Sequence, residues 1–290
     1  MSTQITTAFV EQYSSNVSML AQQMGTKLRG AVDVETIRGK NAFFDQIGVT
    51  AAQVRSSRHG NTPQINTPHS RRRVSLADYE WADLVDDLDK VRMLVDPTSN
   101  YAKAAAAAMN RSIDDVIIAA FNADAATGVA GGTTTALPST SKFATAQQAD
   151  GLTIAKLLAT KHFFDAGDVD PSLKRYFVCG PKQIQDLLAT TEIKSSDFNT
   201  VKALAQGDIN SFLGFEFIMS TRLPNDATNT DDRLCFGFTE DAIKLAIGSD
   251  VKAKISERDD KSYATQVYYS MALGATRMEE TKVFQVPCDE

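Results

Sequence analysis

The segment "DPTSNYAKAAAAAMNRSIDDVIIAAFNADAATG", residues 96–128, limits the possible folds more than any other part of the chain. Asp96 is placed to cap a helix N-terminus, with Pro97 at the first helical position and Gly128 just past the end. A helix of about 30 residues rises about 45 Å at 1.5 Å per residue, so whatever domain contains it must be elongated or must share it. Ile113, Val116, Ile117, Ala120 and Phe121 recur at the spacing of one helical face and predict a buried stripe. The run Ala104 to Ala108 carries almost no side-chain bulk, so another element can approach the axis closely there. Lys103, Arg111, Asp114 and Asp115 break the apolar surface and exclude a membrane span.

The remaining segments arrange themselves around that helix. At 290 residues the chain exceeds the size at which one core stops growing, so two packed units are expected. A polar helical stretch lies around Val10 to Met24, and Val32, Val34 and Ile37 then interleave with Asp33, Glu35 and Thr36 as short extended pieces. "RSSRHGNTPQINTPHSRRR" holds Arg55, Arg58, Arg71, Arg72 and Arg73 and no acid. The acids Asp78, Glu80, Asp83, Asp86, Asp87 and Asp89 follow it directly, so a basic block adjoins an acidic one. Residues 128–151 are rich in Gly, Thr, Ser and Ala and read as a long connection. A second unit follows, with helices in "LTIAKLLATKHFFDAGDV" and "PKQIQDLLAT" and strands in "KRYFVCG" and "FLGFEFIMSTRLP". Its "RLCFGFTEDAIKLAIG" reads as a strand leading into a short segment. Near the end, Tyr263 to Leu273 alternate with period two as one long strand. The class is α+β, without the regular alternation of a parallel doubly wound sheet.

Chemistry is sparse. The chain has no phosphate loop, no nucleophile elbow, no His-Glu-x-x-His zinc motif and no dinucleotide fingerprint, and the glycines of "GVAGG" sit in a loop with no strand leading in. His59 and His69 have no cysteine or carboxylate beside them in sequence, and His162 lies next to two phenylalanines on a helix. Asp168 to Pro171 opens like a calcium loop, but Leu173 stands where such a loop needs glycine. Asn225 to Asp232 has the oxygen-rich composition of a weak cation loop and equally that of a solvated one. Cys179, Cys235 and Cys288 are too widely spaced for a disulfide framework or a metal knuckle and read as packed thiols. Tyr263, Tyr268 and Tyr269 fall on both faces of a strand, which suits packing better than base stacking, and Trp81 anchors a core or a subunit contact. Neither catalytic residues nor cofactors are expected. A net charge of -6 speaks against coating nucleic acid through the overall field, and no secretory signal opens the sequence, so synthesis in the cytoplasm is expected.

Taken in order, these parts resemble the major capsid proteins of tailed bacteriophages, the Hong Kong ninety-seven type. The resemblance spans nearly the whole chain and is strongest in "HSRRRVSLADYEWADLVDDLDKVRMLVDPTSNYA", "SIDDVIIAAF", "PKQIQDLLAT" and "SFLGFEFIMSTRLP". It implies an N-terminal arm over 1–40, an extension loop and peripheral strands over 41–95, and a spine helix with its connection over 96–150. It further implies an axial domain over 151–250 and return strands of the peripheral domain over 251–290. The implied function is self-assembly, as pentamers and hexamers, into an icosahedral head enclosing double-stranded DNA, in a virion assembled in the cytoplasm of a bacterial host.

On this resemblance the extension loop reaches a neighbouring subunit, where Arg55, Arg58 and Arg71 to Arg73 supply docking charges. The acids between Asp78 and Asp89 on another copy are the candidate partners, and packaged DNA makes only non-specific contact. The alternative is a soluble nucleic-acid-binding protein using residues 55–73. No lysine occurs between Lys40 and Lys90, so the lysine cross-link of some such shells is not implied here. The arm, loop and spine fill the first 127 residues, so a separate scaffolding protein is expected, together with a portal protein and, in some shells, a decoration protein. No membrane partner is expected.

Overall fold

The computed structural model describes residues 21–55, 57–62, 64–85, 98–143, 150–189, 211–227 and 229–290. The helical stretch read around Val10 to Met24 lies outside them up to residue 20, and residues 21–24 are not helical. Asp86, Asp87, Asp89, Asp96 and Pro97 also lie outside. Among the described residues the fold is mixed α+β, and no helix is long and apolar enough to cross a membrane.

The strands are β1 (Asp33–Thr36), β2 (Asn41–Ile47), β3 (His69–Ser75), β4 (Ala77–Val85), β5 (Ala125–Thr127), β6 (Thr133–Thr135), β7 (Arg175–Cys179), β8 (Ser211–Phe212), β9 (Phe215–Met219), β10 (Asp232–Thr239), β11 (Ile243–Arg258), β12 (Ala264–Arg277) and β13 (Val283–Asp289). The helices are α1 (Thr98–Asn122), α2 (Ile154–Ala166) and α3 (Pro181–Ala189). Three sheets result, in the strand orders β1-β11-β12-β4, β13-β10-β7-β9-β8 and β2-β3-β5-β6.

Two compact units divide the chain. One draws on Asp78–Ser112 and Ser249–Ala272 together with the start of the chain up to Gly25. Its β4 alternates as a half-buried strand must: Tyr79 and Trp81 are partly covered and Val85 buried, while Asp78 and Glu80 are exposed on the other face. In its part of α1, Ala105, Ala107 and Met109 are buried, so the alanine run does face a packed interior.

The other unit holds Thr26–Ala77, Ile113–Gly248 and Leu273–Glu290. Here β7 is buried at all five positions, as a central strand should be, with β10 antiparallel on one side and β9 parallel on the other. Phe121 on α1 stacks against Phe236 and packs against Phe238, with centroids 5.0 and 4.8 Å apart. Phe164 of α2 meets Phe215 in the same core. The predicted stripe is present in this part of α1, with Ile113, Ile117, Ala120 and Phe121 buried, Ile118 joining them and Val116 only half-buried. Asp114, also buried, accepts the backbone N–H groups of Lys27 and Leu28 and fixes the entry of the chain.

Four expectations need correction. Helix α1 spans 25 residues, about 37 Å, and stops at Asn122 rather than near Thr127. The reason is Arg277: its fully buried guanidinium donates to the Phe121 and Ala123 carbonyls, which occupies the groups that another helical turn would use. Gly128, with φ of 89°, belongs instead to the turn of a β5–β6 hairpin, so the supposed long connection is partly regular structure. The short segment after β10 is the 16-residue strand β11. Finally, β13 pairs with β10, which places residues 283–289 in the sheet of the 151–250 segment rather than with the return strand. Pro287 is accommodated because β13 is that sheet's edge.

Candidate assembly surface

The arginine-rich stretch begins in the loop of a hairpin and ends on the hairpin's second strand. Strands β2 and β3 pair antiparallel from Asn41↔Ser75 to Ile47↔His69, and Gly48 N–H donates to the Pro68 carbonyl to close the base. Beyond that point no strand occurs among the described residues of 48–68, so the two-stranded ladder is confined to the root of the loop. Val49 and Val54 are 98% and 95% exposed, and Ile47 is 72% exposed. Arg55 donates to the Ser57 carbonyl at 2.9 Å, His59 sits in the left-handed region at φ 61°, and Arg58 is exposed.

The other three arginines have different surroundings. Arg71 stands directly across the hairpin from Asp45 and grips it bidentately, Nε at 2.5 Å and Nη2 at 3.2 Å, with its guanidinium over the Phe43 ring. The Arg71 hydrogen bond holds the Asp45 carboxyl below its usual range. Arg72 points to the opposite face, is only 7% exposed, and donates to the Glu280 carboxylate at 2.7 and 2.9 Å and to the Met278 carbonyl at 3.0 Å. Arg73 is half-buried and its side chain lies against Gly131, where a Cβ would meet it at 2.5 Å. Strand alternation explains the division: Arg72 shares the core face with Phe44 and Val74, while Arg71 and Arg73 share the other.

The sequence therefore brought five arginines together by proximity, and the structure separates them. Arg71 and Arg72 have partners within their own chain; Arg55 and Arg58 project with the exposed loop. Asp45 and Glu280 were missed as acceptors. Asp45 was findable once the hairpin register was known, but Glu280 is 208 residues from Arg72 and gave no local sign. Of the acids, Asp78 and Glu80 are exposed on β4, and Asp83 is half-buried and accepts the N–H of Leu84.

Among the described residues no three His, Cys, Asp or Glu side chains gather as a metal-binding set. Cys179, Cys235 and Cys288 are buried and unbridged. Burial pushes the Cys179 thiol up to about 12 and raises that of Cys235 as well. Such thiols are poor nucleophiles.

Residues 5–290 match the sequence model of the family described as phage capsid protein. A comparison with curated proteins finds no match. Among solved structures, the capsid of cyanophage P-SCSP1u is similar, with a TM-score of 0.76 at 18% identity over 99% of this chain and 94% of that one. Mycobacterium phage Che8 gives 0.71 at 17% identity over 96% and 97%. The cyanophage Pam1 capsid asymmetric unit gives 0.72 at 13% identity over 98% and 97%.

Proposed function

The chain belongs to the phage capsid protein family, and from that premise we propose how its parts divide the work of building a shell. It is a major capsid protein of an icosahedral head, a structural protein rather than an enzyme, and its place is the virion. Residues 1–40 act as the N-terminal arm, and 41–95 as the extension loop with peripheral strands. Residues 96–150 carry the spine helix and its connection, and 151–250 form the axial domain that meets its copies at the centres of pentamers and hexamers. Of the final segment, 251–282 returns to the peripheral sheet.

The observation that carries the docking role is the loop itself. Val49 and Val54 are almost wholly exposed beside Arg55 and Arg58, an arrangement that a chain on its own gains nothing from. On a neighbouring copy, Asp78 and Glu80 of β4 are the acceptors for the two arginines, and Asp83, Asp86, Asp87 and Asp89 extend the acidic track. Arg71, Arg72 and Arg73 support the root of the loop; the docking role of Arg71 and Arg72 is secondary to the pairs they make at home, and Arg73 packs against Gly131.

Near-identical capsomer interfaces can close into shells of several sizes, so assembly uses a separate scaffolding protein as its size guide. A portal protein at one vertex and a decoration protein outside are further partners, and enclosed DNA is met without sequence preference. Sedimentation and negative-stain micrographs of the chain expressed with and without a scaffold test this reading. Uniform shells only with the scaffold support it, and uniform closed shells from the chain alone would remove the need for the guide. Persistent monomers in both cases would count against the docking loop.

A further inference from the structure

The sheet β1-β11-β12-β4 ends in two edges of opposite charge, and both belong to the same compact unit. On one side, β1 covers β11 only over residues 244–247, so among the described residues no strand lies beside 252–258 there. On the other side the strand order stops at β4. A side chain closes off one end of each edge: the Asp250 carboxylate accepts the Val251 N–H at 2.9 Å, and the Asp83 carboxylate accepts the Leu84 N–H at 2.8 Å. Residues 252–258 and 78–82 are left as the sheet's two margins.

Alternation sorts the side chains of each margin onto two faces. Arg258 donates to Gln266 across the hairpin at 3.1 Å, which places Lys252 and Lys254 on the face of Gln266. The other face of β12 carries Val267 and Met271, both buried. On β4 the covered side holds Tyr79 and Trp81, and the open side holds Asp78 and Glu80. The lysines of one margin and the acids of the other therefore share one face of one sheet. None of the four has an ion-pair partner among the described residues. Val251, Ile255 and Glu257 turn to the opposite face, where Ile255 is 54% exposed.

We propose that the 252–258 margin of one copy pairs with the 78–82 margin of a second copy, so that the sheet continues from subunit to subunit. This contact rests on the shell-building role and deepens it. Lysines on an open edge repel an edge like themselves and accept an acidic one, so the charges choose the partner as well as hold it. The 78–82 run spans about 17 Å at about 3.3 Å per residue, the length of an ordinary strand pairing. Because each copy offers one margin and receives the other, the contact is head to tail and builds rings or chains rather than isolated dimers. A carboxylate has acceptor sites for more than one cation, so Asp78 and Glu80 can serve Arg55 and Arg58 from above the same face.

The test places cysteines on the two margins of the full chain, Glu80→Cys with Lys252→Cys and Glu80→Cys with Lys254→Cys, and oxidises the assembled particles with diamide. Within one copy β12 separates the two positions by about 10 Å, beyond disulfide reach, so any bond formed joins two copies. At least one combination should give a ladder of covalent oligomers beyond the dimer on a non-reducing gel, and the three single variants should give none. Lys252→Glu with Lys254→Glu should lower particle yield at least about fivefold while the unfolding midpoint stays unchanged. A ladder that stops at the dimer would make the contact two-fold and overturn the proposal. Particles that form without a cross-link in either combination, and in undiminished yield from the glutamate variant, would overturn this contact and leave the shell-building role intact. An unmodified chain that forms no particle with its scaffold would overturn both.

Discussion

Arg277 donates from Nη1 to the carbonyl oxygen of Phe121 at 2.9 Å, across 156 residues of sequence, and so closes the C-terminal end of the long helix from inside the core. The same nitrogen reaches the Ala123 carbonyl, Nη2 reaches the Thr135 carbonyl, and Nε lies 3.7 Å from Glu280. A cation at this end also complements the helix dipole.

Arg277→Met should therefore destabilise the chain by about 2–4 kcal/mol, because it leaves the buried Phe121 carbonyl and the part-buried Ala123 and Thr135 carbonyls short of a donor. Denaturant unfolding measures the loss. Arg277→Lys should recover only part of it, since an ammonium cannot span the same forked set of acceptors. An unchanged midpoint for Arg277→Met would sink the capping account.

The arginines of the loop and of its root should separate in their effects. Arg55→Glu with Arg58→Glu should leave the unfolding midpoint unchanged within about 0.5 kcal/mol while reducing particle yield in sedimentation. Raised salt should reduce the yield of the unmodified chain in the same way. Arg72→Ala should instead unfold the chain more readily, by about 2 kcal/mol, since it strands Glu280 and the Met278 carbonyl. The opposite assignment, a stable Arg72→Ala that fails to assemble, would return Arg72 to the docking surface.

In the alanine run, Ala105 and Ala107 are fully buried and Ala106 is half-buried. Leucine at either buried position should cost about 1–3 kcal/mol by overpacking, and at Ala106 distinctly less. Thermal melts of the three single variants decide this, and equal effects at all three would contradict the burial pattern.

Gly274 of β12 is approached most closely by backbone. A Cβ there would stand 2.3 Å from the Ser75 carbonyl oxygen and 3.0 Å from Val74. Gly274→Ala should thus cost more than any of the leucine variants, since a strand must shift to admit it. Soluble expression with a wild-type midpoint would refute this.

The Cys179 thiol, pushed up to about 12, sets a pH dependence of definite sign. A group whose ionisation is suppressed by folding stabilises the fold fully below its ordinary value near 9.0, and that contribution is lost as the pH rises towards 12. Stability should fall over this window less steeply in Cys179→Val than in the unmodified chain. At pH 8 none of the three cysteines should react with a thiol reagent until the chain is unfolded. Rapid reaction of the native chain would show the thiols to be accessible.

The sequence alone determined what local rules govern. The period of residues 113–121 specified a helix and its buried side, alternation from Tyr263 to Leu273 specified the strand found at Ala264–Arg277, and the four apolar or aromatic residues Tyr176 to Cys179 specified a buried strand. The order of those parts was enough to make the family resemblance legible. Partnership was settled only in the tertiary structure. Nothing near Asn122 announces the end of the helix, because the group that ends it is Arg277; nothing near Arg72 announces Glu280. Asp232 and Asp289 look like two ordinary acids at a loop and a terminus until antiparallel pairing sets them face to face. Helical and strand periods depend on residues a few positions apart and can be read along the chain. The pairing of charges and carbonyls depends on which strands become neighbours, and that is decided by packing the whole core at once.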